Sequence, residues 1–536
     1  MSEHQVRIDR STQPARFDFD SVLNVTMPFV DRHMANGKSD DTILRWRGGG
    51  ITFGQLHEGT CRMANLLRDA GIGAGDRVML LVRDCPEFHY AFLGAARIGA
   101  VAVPVNYFLR AHDYEYMLQD SAARAIVVSG EAMNEVLPAL ERAGDVAQIR
   151  LATDDAPRGF QALSPLLEAA GSTADPAPTT PETDCFWLYS SGSTGSPKAS
   201  VHQHKDMIYT AHHYGVGIAG LDGSQTSLSP AKLFFAYGLG NSLSFPLWIG
   251  SQAVMMEERP TPEGTLDMIT ETRPDVFFGI PTLYASMLNL LENGYQADLT
   301  SLRLCPSGGE PLPPALYERW KKLTGIEITD SIGSSEVLHF YTANRPGSVR
   351  LGSGGAIVPG YEGRIVDPDG NDLPDGEVGE LAIKGESTAR YYWNKPERTA
   401  EAMRDGWFHT GDMCFRDADG YYHFCGRGND MLKVGGIWVS PFEVESALVG
   451  HEAVLEAAVA GRPDENGLIK PAAFVVLKDR KRATPELEAE LRDFVRTRLA
   501  PFKYPRWIEF LDDLPKTSSG KIQRFRLKSE HNKAAK

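Results

Sequence analysis

At 536 residues the chain is too long for one compact core, which predicts two to four domains, and its 42% hydrophobic and 23% charged content is ordinary for a soluble globular protein. A formal net charge of -15 argues against non-specific nucleic-acid binding, because phosphate backbones are gripped by basic surfaces. Six dispersed cysteines without a CxxC pair indicate neither a zinc site nor a redox dithiol and read as reduced, mostly buried thiols. The first residues, Met-Ser-Glu-His-Gln-Val-Arg, lack the apolar core of a signal peptide, and the apolar stretch 91–105 is interrupted by Arg97, so a cytoplasmic location with no membrane partner is expected.

In chain order, Val78 to Val82 is a continuous β-prone run followed through Pro86 by a helical stretch to Ile98, and then by the strand Val101 to Val103. Ala125 to Val128 reads as another buried strand. Residues 171–183, rich in Pro, Thr, Ala and Gly, read as a loop. Asp275 to Phe278 and Pro281 to Leu291 read as a further strand and helix. Apolar strands alternating with helices predict an α/β region with largely parallel sheets covered on both faces. After about residue 355 the runs Asp367 to Asn371 and Asp417 to Tyr421 predict hairpin turns of an antiparallel β section. The last hundred or so residues resume α/β character on a smaller scale. There Thr484-Pro485 opens a helix whose apolar stripe is Leu487, Leu491, Phe494, Val495 and Leu499, in a small α+β domain.

Residues 189–198, Tyr-Ser-Ser-Gly-Ser-Thr-Gly-Ser-Pro-Lys, follow the apolar run Cys185-Phe186-Trp187-Leu188. A strand opening into hydroxyls, glycines and one lysine is suited to gripping phosphate: glycines let backbone N–H groups approach an anion, hydroxyls add donors, and lysine neutralises charge. It is not a Walker A loop, since no GK[ST] follows at the required distance.

Five more clusters follow: Ser307-Gly308-Gly309-Glu310-Pro311, Asp330-Ser331-Ile332-Gly333-Ser334-Ser335-Glu336, Trp407-Phe408-His409-Thr410-Gly411-Asp412, Gly426-Arg427-Gly428-Asn429-Asp430 and Pro515-Lys516-Thr517-Ser518-Ser519-Gly520-Lys521. In this order and spacing, with the 189–198 loop, they resemble the acyl- and aryl-CoA synthetases of the adenylate-forming enzymes, a family that includes firefly luciferase and the adenylation domains of peptide synthetases. The resemblance implies a large domain over residues 1–428 and a small mobile domain over 429–536. It implies that Ser190, Ser191, Gly192, Ser193, Thr194, Gly195 and Lys198 hold the β- and γ-phosphates of ATP. Gly309, Glu310 and Pro311 would line the adenine pocket, with Asp330, Ser331 and Ile332 on another side of the base. Ser335 would contact the α-phosphate, Glu336 would bind Mg²⁺, Asp412 with Arg427 would take the ribose, and Lys521 would reach the carboxylate and α-phosphate. The implied co-substrates are ATP and coenzyme A.

These residue types suit that chemistry. A carboxylate is already ionised at neutral pH, so its attack on phosphorus needs charge neutralisation rather than a general base. Attack on the adenylate by coenzyme A instead requires a thiolate. In the family the small domain rotates between the two half-reactions. The hinge position two after Arg427, usually Asp or Lys, is Asn429 here, with Asp430 next; Asn tolerates left-handed backbone, so a hinge is retained. Gly435 and Gly436 would form the wall of the pantetheine tunnel.

The runs 232–240, 278–284, 338–340 and 500–506 look closest to the benzoate-CoA ligase branch. By that similarity Ala236, Tyr237, Gly308, Gly333, His339 and Phe340 line the acyl pocket, whose aromatic walls suit a flat ring. Gly308 stands where benzoate ligases commonly carry alanine, which implies a slightly larger pocket and a substituted ring whose substituent His339 could hydrogen-bond.

The expected activity is ATP-dependent ligation of benzoate or a substituted benzoate to coenzyme A, releasing AMP and pyrophosphate. The alternatives are loading of a carrier protein, a non-benzoate small acid, and a non-catalytic AMP sensor, which would lose Glu336 or Lys521. Partners are small molecules, and a homodimer is compatible with the chain. Gly215 to Gly220 matches GxGxxG but lacks a preceding strand, so a dinucleotide site and an oxidoreductase are disfavoured. His202, His204, His212 and His213 read as solvated or packing residues rather than metal ligands.

Overall fold

The continuous apolar runs before residue 204 assemble into one seven-stranded sheet. Its strands are β1 (Arg77–Leu81), β2 (Val101–Pro104), β3 (Ala125–Val128), β4 (Ile149–Ala152), β5 (Gln161–Ala162), β6 (Asp184–Ser190) and β7 (Lys198–Gln203), in the order β7-β6-β2-β1-β3-β4-β5. All neighbours are parallel except β6 and β7, which form an antiparallel hairpin. Alternate residues of β1 enter separate cores, Val78 and Leu80 in one and Met79 and Leu81 in the other. This two-sided burial explains why the strand is uniformly apolar. The computed structural model describes residues 4–190, 196–428, 430–434, 437–464, 468–516, 522–524 and 526–527, except for the side chains of 437 and 438.

A five-stranded sheet packs beside the first, built from Val276–Phe277, Thr226–Leu228, Gln252–Val254, Thr42–Trp46 and Gly49–Thr52. Next come β8 (Cys305–Ser307), β9 (Ile328–Gly333) and β10 (Phe340–Ala343), with β8 parallel and β10 antiparallel to β9. The helix α1 (Pro281–Glu292) precedes them, with proline in its first turn.

The antiparallel section includes β11 (Trp407–Arg416) and β12 (Tyr422–Arg427). Its turns are made by one chemistry used twice. Asp367 Oδ1 accepts from the amides of Asp369 and Asn371 at 2.9 and 2.8 Å, and Asp417 Oδ1 accepts from Asp419 and Tyr421 at 3.1 and 2.9 Å.

In the C-terminal part, the strands Val454–Pro463, Ile469–Leu477 and Trp507–Leu511 carry α2 (Pro441–Val449) and α3 (Pro485–Arg496). Thr484 caps α3 by accepting from the Leu487 amide, and Leu487, Leu491 and Val495 are its buried stripe. Leu499 lies beyond the helix end and packs only partly buried. The six cysteines are free and buried, and among the described residues no helix is long and apolar enough to cross a membrane.

Candidate active site

The ends of β8 and β9 open into a cavity of about 310 Å³, closed from the other side by the C-terminal part through α2, Glu456 and Arg524. Gly309 lies just past β8 at φ 84°, with open space where a side chain would stand, so backbone conformation is what calls for glycine. Glu310 follows it: Oε2 accepts from the Thr282 hydroxyl at 2.6 Å, while Oε1 is buried with no hydrogen-bond partner. Burial raises this carboxyl.

Asp330 on β9 is buried. Its Oδ2 accepts from the Leu312 amide at 3.2 Å and its Oδ1 has no hydrogen-bond partner. Burial pushes it up to about 8. Pro311, Ser331, Ile332 and Gly333 line the same cavity, as do Asp412, Arg427 and Asp430. The β11–β12 hairpin sets Asp412 opposite Arg427, and their side chains meet at 2.7 Å. The unpartnered oxygens of Glu310 and Asp330, in one cavity with the Arg427 guanidinium, are what a nucleoside, rich in donors and acceptors, would complete.

A second cluster sits at the end of the β6–β7 hairpin, where register places Ser190 opposite Lys198. Lys198 Nζ is 3.0 Å from Glu336 Oε1. Tyr392 joins them: its hydroxyl accepts from Lys198 at 2.6 Å and donates to Glu336 Oε1 at 2.8 Å. Burial alone would raise the Glu336 carboxyl, but the Lys198 charge and the Tyr392 hydroxyl outweigh it and hold it below the usual carboxylate range. The turn bearing Glu336 is fixed from beneath, because buried His202 lies 2.9 Å from Asp206 through Nδ1 and 2.8 Å from the Ser335 carbonyl through Nε2. Two residues after Glu336, Leu338 takes φ 72°, a left-handed conformation rare for a branched side chain.

Residues 31–393 match the sequence family described as AMP-binding enzyme, and residues 443–521 match the AMP-binding enzyme C-terminal domain. The chain belongs to the AMP-binding enzyme family. It is 45% identical to a benzoate–CoA ligase of Thauera aromatica over 97% of this chain and 98% of that protein. Among solved structures it resembles an anthranilate CoA ligase in complex with anthranoyl-AMP, with a TM-score of 0.93, 38% identity, and 97% and 99% of the two chains covered. A benzoate CoA ligase from Burkholderia xenovorans LB400 superposes with a TM-score of 0.86 at 42% identity, covering 94% and 100%.

In this AMP-binding enzyme the six residues expected around the acyl group form one aromatic nest. Ala236 and Tyr237 start a short helix, and the Tyr237 hydroxyl donates to the Gly279 carbonyl at 3.1 Å. The rings of His339 and Phe340 lie 5.5 and 5.1 Å from that of Tyr237. His339 Nε2 is 3.2 Å from Asn241 Oδ1, and burial pushes its imidazole down to about 3, so it is neutral at physiological pH. Three members were not visible in the sequence: Asn241, Tyr214, whose ring is 4.9 Å from Phe340, and Phe245, 4.6 Å from His339.

Gly308 departs from the expectation of a larger pocket. A methyl at 308 would stand 2.3 Å from Phe340 Cε1, so the missing side chain does not enlarge the pocket; the edge of the Phe340 ring occupies that room. Gly333 is tight for a related reason, with its absent Cβ 2.5 Å from the His339 carbonyl oxygen and 2.9 Å from Phe340 Cδ1.

The four histidines expected to be solvated or packing are all buried, which leaves packing. The GxGxxG stretch begins within the helical segment Ala211–Val216, with no strand leading into it. Ser191, Gly192, Ser193, Thr194, Gly195, Asn429, Gly435, Gly436 and Lys521 lie outside the described residues. The enzyme's Tyr392 was also missed; the run Tyr391-Tyr392-Trp393 ahead of Pro396 is the only signal the sequence offered.

Proposed function

We propose that this chain joins benzoate, or a benzoate with a small ring substituent, to coenzyme A through an aryl-adenylate. The observation that carries the reading is the meeting of two environments at Gly333, which lines the cavity of Glu310 and Asp330 and also packs against the aromatic nest. A nucleotide in the cavity and a flat ring in the nest would place carboxylate and α-phosphate side by side. The Thauera and Burkholderia relatives, both benzoate CoA ligases by name, support the choice of acid.

A carboxylate oxygen attacks the α-phosphorus, the bond to the bridging oxygen breaks, and pyrophosphate leaves with the electron pair. Two anions must approach, so cations decide the barrier. Lys198 is proposed for the phosphates, and Lys521 for the α-phosphate and carboxylate. Among the described residues no group of three His, Cys, Asp or Glu could hold a metal. A single carboxylate, Glu336, nevertheless fits Mg²⁺, which keeps waters and phosphate oxygens and takes few protein ligands. Bound there, the ion would supply charge neutralisation on the phosphates. Asp412 and Arg427 are proposed for the ribose, and Ser335 and the 190–195 segment for the phosphates. In the second step the thiolate of coenzyme A attacks the carbonyl carbon and AMP departs. The 1–428 and 429–536 division, an Asn429–Asp430 hinge and a Gly435–Gly436 tunnel wall belong to this reading, as do a cytoplasmic location and a homodimer.

Acid-dependent exchange of pyrophosphate into ATP, scanned over benzoate and its hydroxy, amino and halo derivatives, followed by coenzyme A, tests it. Aryl-CoA should appear with benzoate among the best acids. Exchange with no aromatic acid would overturn the reading, and adenylate that passes only to a carrier protein would replace coenzyme A as acceptor.

A further inference from the structure

We propose that Tyr392 is a positioning residue for adenylation: its hydroxyl orients Glu336 for the divalent cation and allows Lys198 to leave that carboxylate for the nucleotide phosphates. This rests on the nucleotide reading above. In this structure Lys198 and Glu336 neutralise each other at 3.0 Å. A metal–polyphosphate complex needs the lysine on the anion and the carboxylate on the cation, so the pair must part; metal-free ATP brings no cation to claim Glu336, and Lys198, with three N–H donors, keeps the carboxylate while it meets the phosphates. A buried carboxylate that loses its only partner is costly. Tyr392 prevents that, because its donated bond to Glu336 Oε1 survives when Lys198 departs.

The placement of Tyr392 is tied to the strand that carries Lys198. Residues 390–393 run along the outer edge of β7: Arg390 N donates to Val201 O at 2.9 Å, Val201 N to Tyr391 O at 3.0 Å, and Trp393 N to Ala199 O at 3.0 Å. Tyr392 itself is 1% exposed. Both side-chain partners of Glu336 converge on Oε1, so Oε2 takes no side-chain partner among the described residues and is the oxygen available to a cation. Lys198 Nζ also lies 4.1 Å from the centre of the Tyr392 ring, whose face attracts a cation. The ring therefore holds the lysine near while the hydroxyl fixes the carboxylate.

Tyr392→Phe keeps the ring and removes the hydroxyl. Calorimetric titration of the full chain with Mg·ATP, and separately with ATP in a chelator, should show Mg·ATP weakened about 10- to 100-fold while metal-free ATP changes by less than about 3-fold. Half-maximal pyrophosphate exchange should need more Mg²⁺, and thioester formation from a supplied aryl-adenylate should be unchanged. The ratio of the two affinities, taken on one preparation, does not depend on the folded fraction. Equal weakening of both nucleotide forms, no weakening, or equal loss in both half-reactions would overturn the proposal. A wild-type chain that binds Mg·ATP but adenylates no aromatic acid refutes the substrate reading and leaves this proposal to the affinity ratio; one that binds no nucleotide overturns both.

Discussion

Gly308→Ala puts the packing of the aromatic nest to the test. The added methyl would stand 2.3 and 2.4 Å from Phe340 Cε1 and Cζ, whereas carbon atoms settle at about 3.5 to 4 Å. The Phe340 ring must therefore retreat by roughly 1 Å or more. Its retreat is opposed by His339 at 4.5 Å and Tyr214 at 4.9 Å, both edge-on, and by the backbone at Gly333. Overpacking of this kind costs about 1 to 3 kcal/mol when the ring is held in place; a ring that retreats escapes that cost until benzoate restores the native nest, so kcat/KM for benzoate in the exchange assay should fall by roughly 5- to 150-fold. Phe340→Leu in the same chain frees the room, and the double variant should recover to within about 5-fold of wild type, a coupling that independent sites do not show. Activity of Gly308→Ala within about 2-fold of wild type, or simple additivity in the double variant, would refute the argument.

Three further outcomes follow from the site. Burial raises Asp330 to about 8 in the folded chain, so the folded state holds a proton that the unfolded state releases near ~4. Stability of the ligand-free protein should therefore fall as pH rises through that window, and Asp330→Asn should flatten the dependence of Tm on pH between about 5 and 8; an unchanged slope would contradict it. Asp412→Ala should raise the KM for ATP by about 10-fold or more through loss of charge-assisted hydrogen bonds, with kcat for thioester formation from preformed adenylate little affected. Lys521→Ala should abolish pyrophosphate exchange while sparing thioesterification of a supplied aryl-adenylate, and equal loss in both steps would contradict that division of labour.

Local chemistry was legible and distant packing was not. Turns such as Asp367 to Asn371 and the cap at Thr484 were readable because a side chain bonds to backbone within a few residues. The apolar runs of β1 and β3 were readable because burial on both faces leaves no alternation to misread. Tyr392 was not, since it lies 194 residues from Lys198 and 56 from Glu336, and only the fold brings the three together. Gly308 shows the limit most clearly. The sequence reveals a missing methyl, but only the fold reveals that a neighbouring ring has moved into its place.

The strip 390–393 has a consequence for how this chain can be divided. β7 is the outermost strand of the seven-stranded sheet, and this strip pairs with its otherwise open side, pinned by Trp393, whose ring lies tilted 4.4 Å from that of Trp187 and donates to the Asp120 carbonyl at 2.9 Å. A fragment cut before Arg390 would present a bare row of amides and carbonyls to any other β-chain, an invitation to edge-to-edge aggregation. Any truncation meant to isolate the first two sheets must therefore carry a piece of chain that comes nearly two hundred residues later.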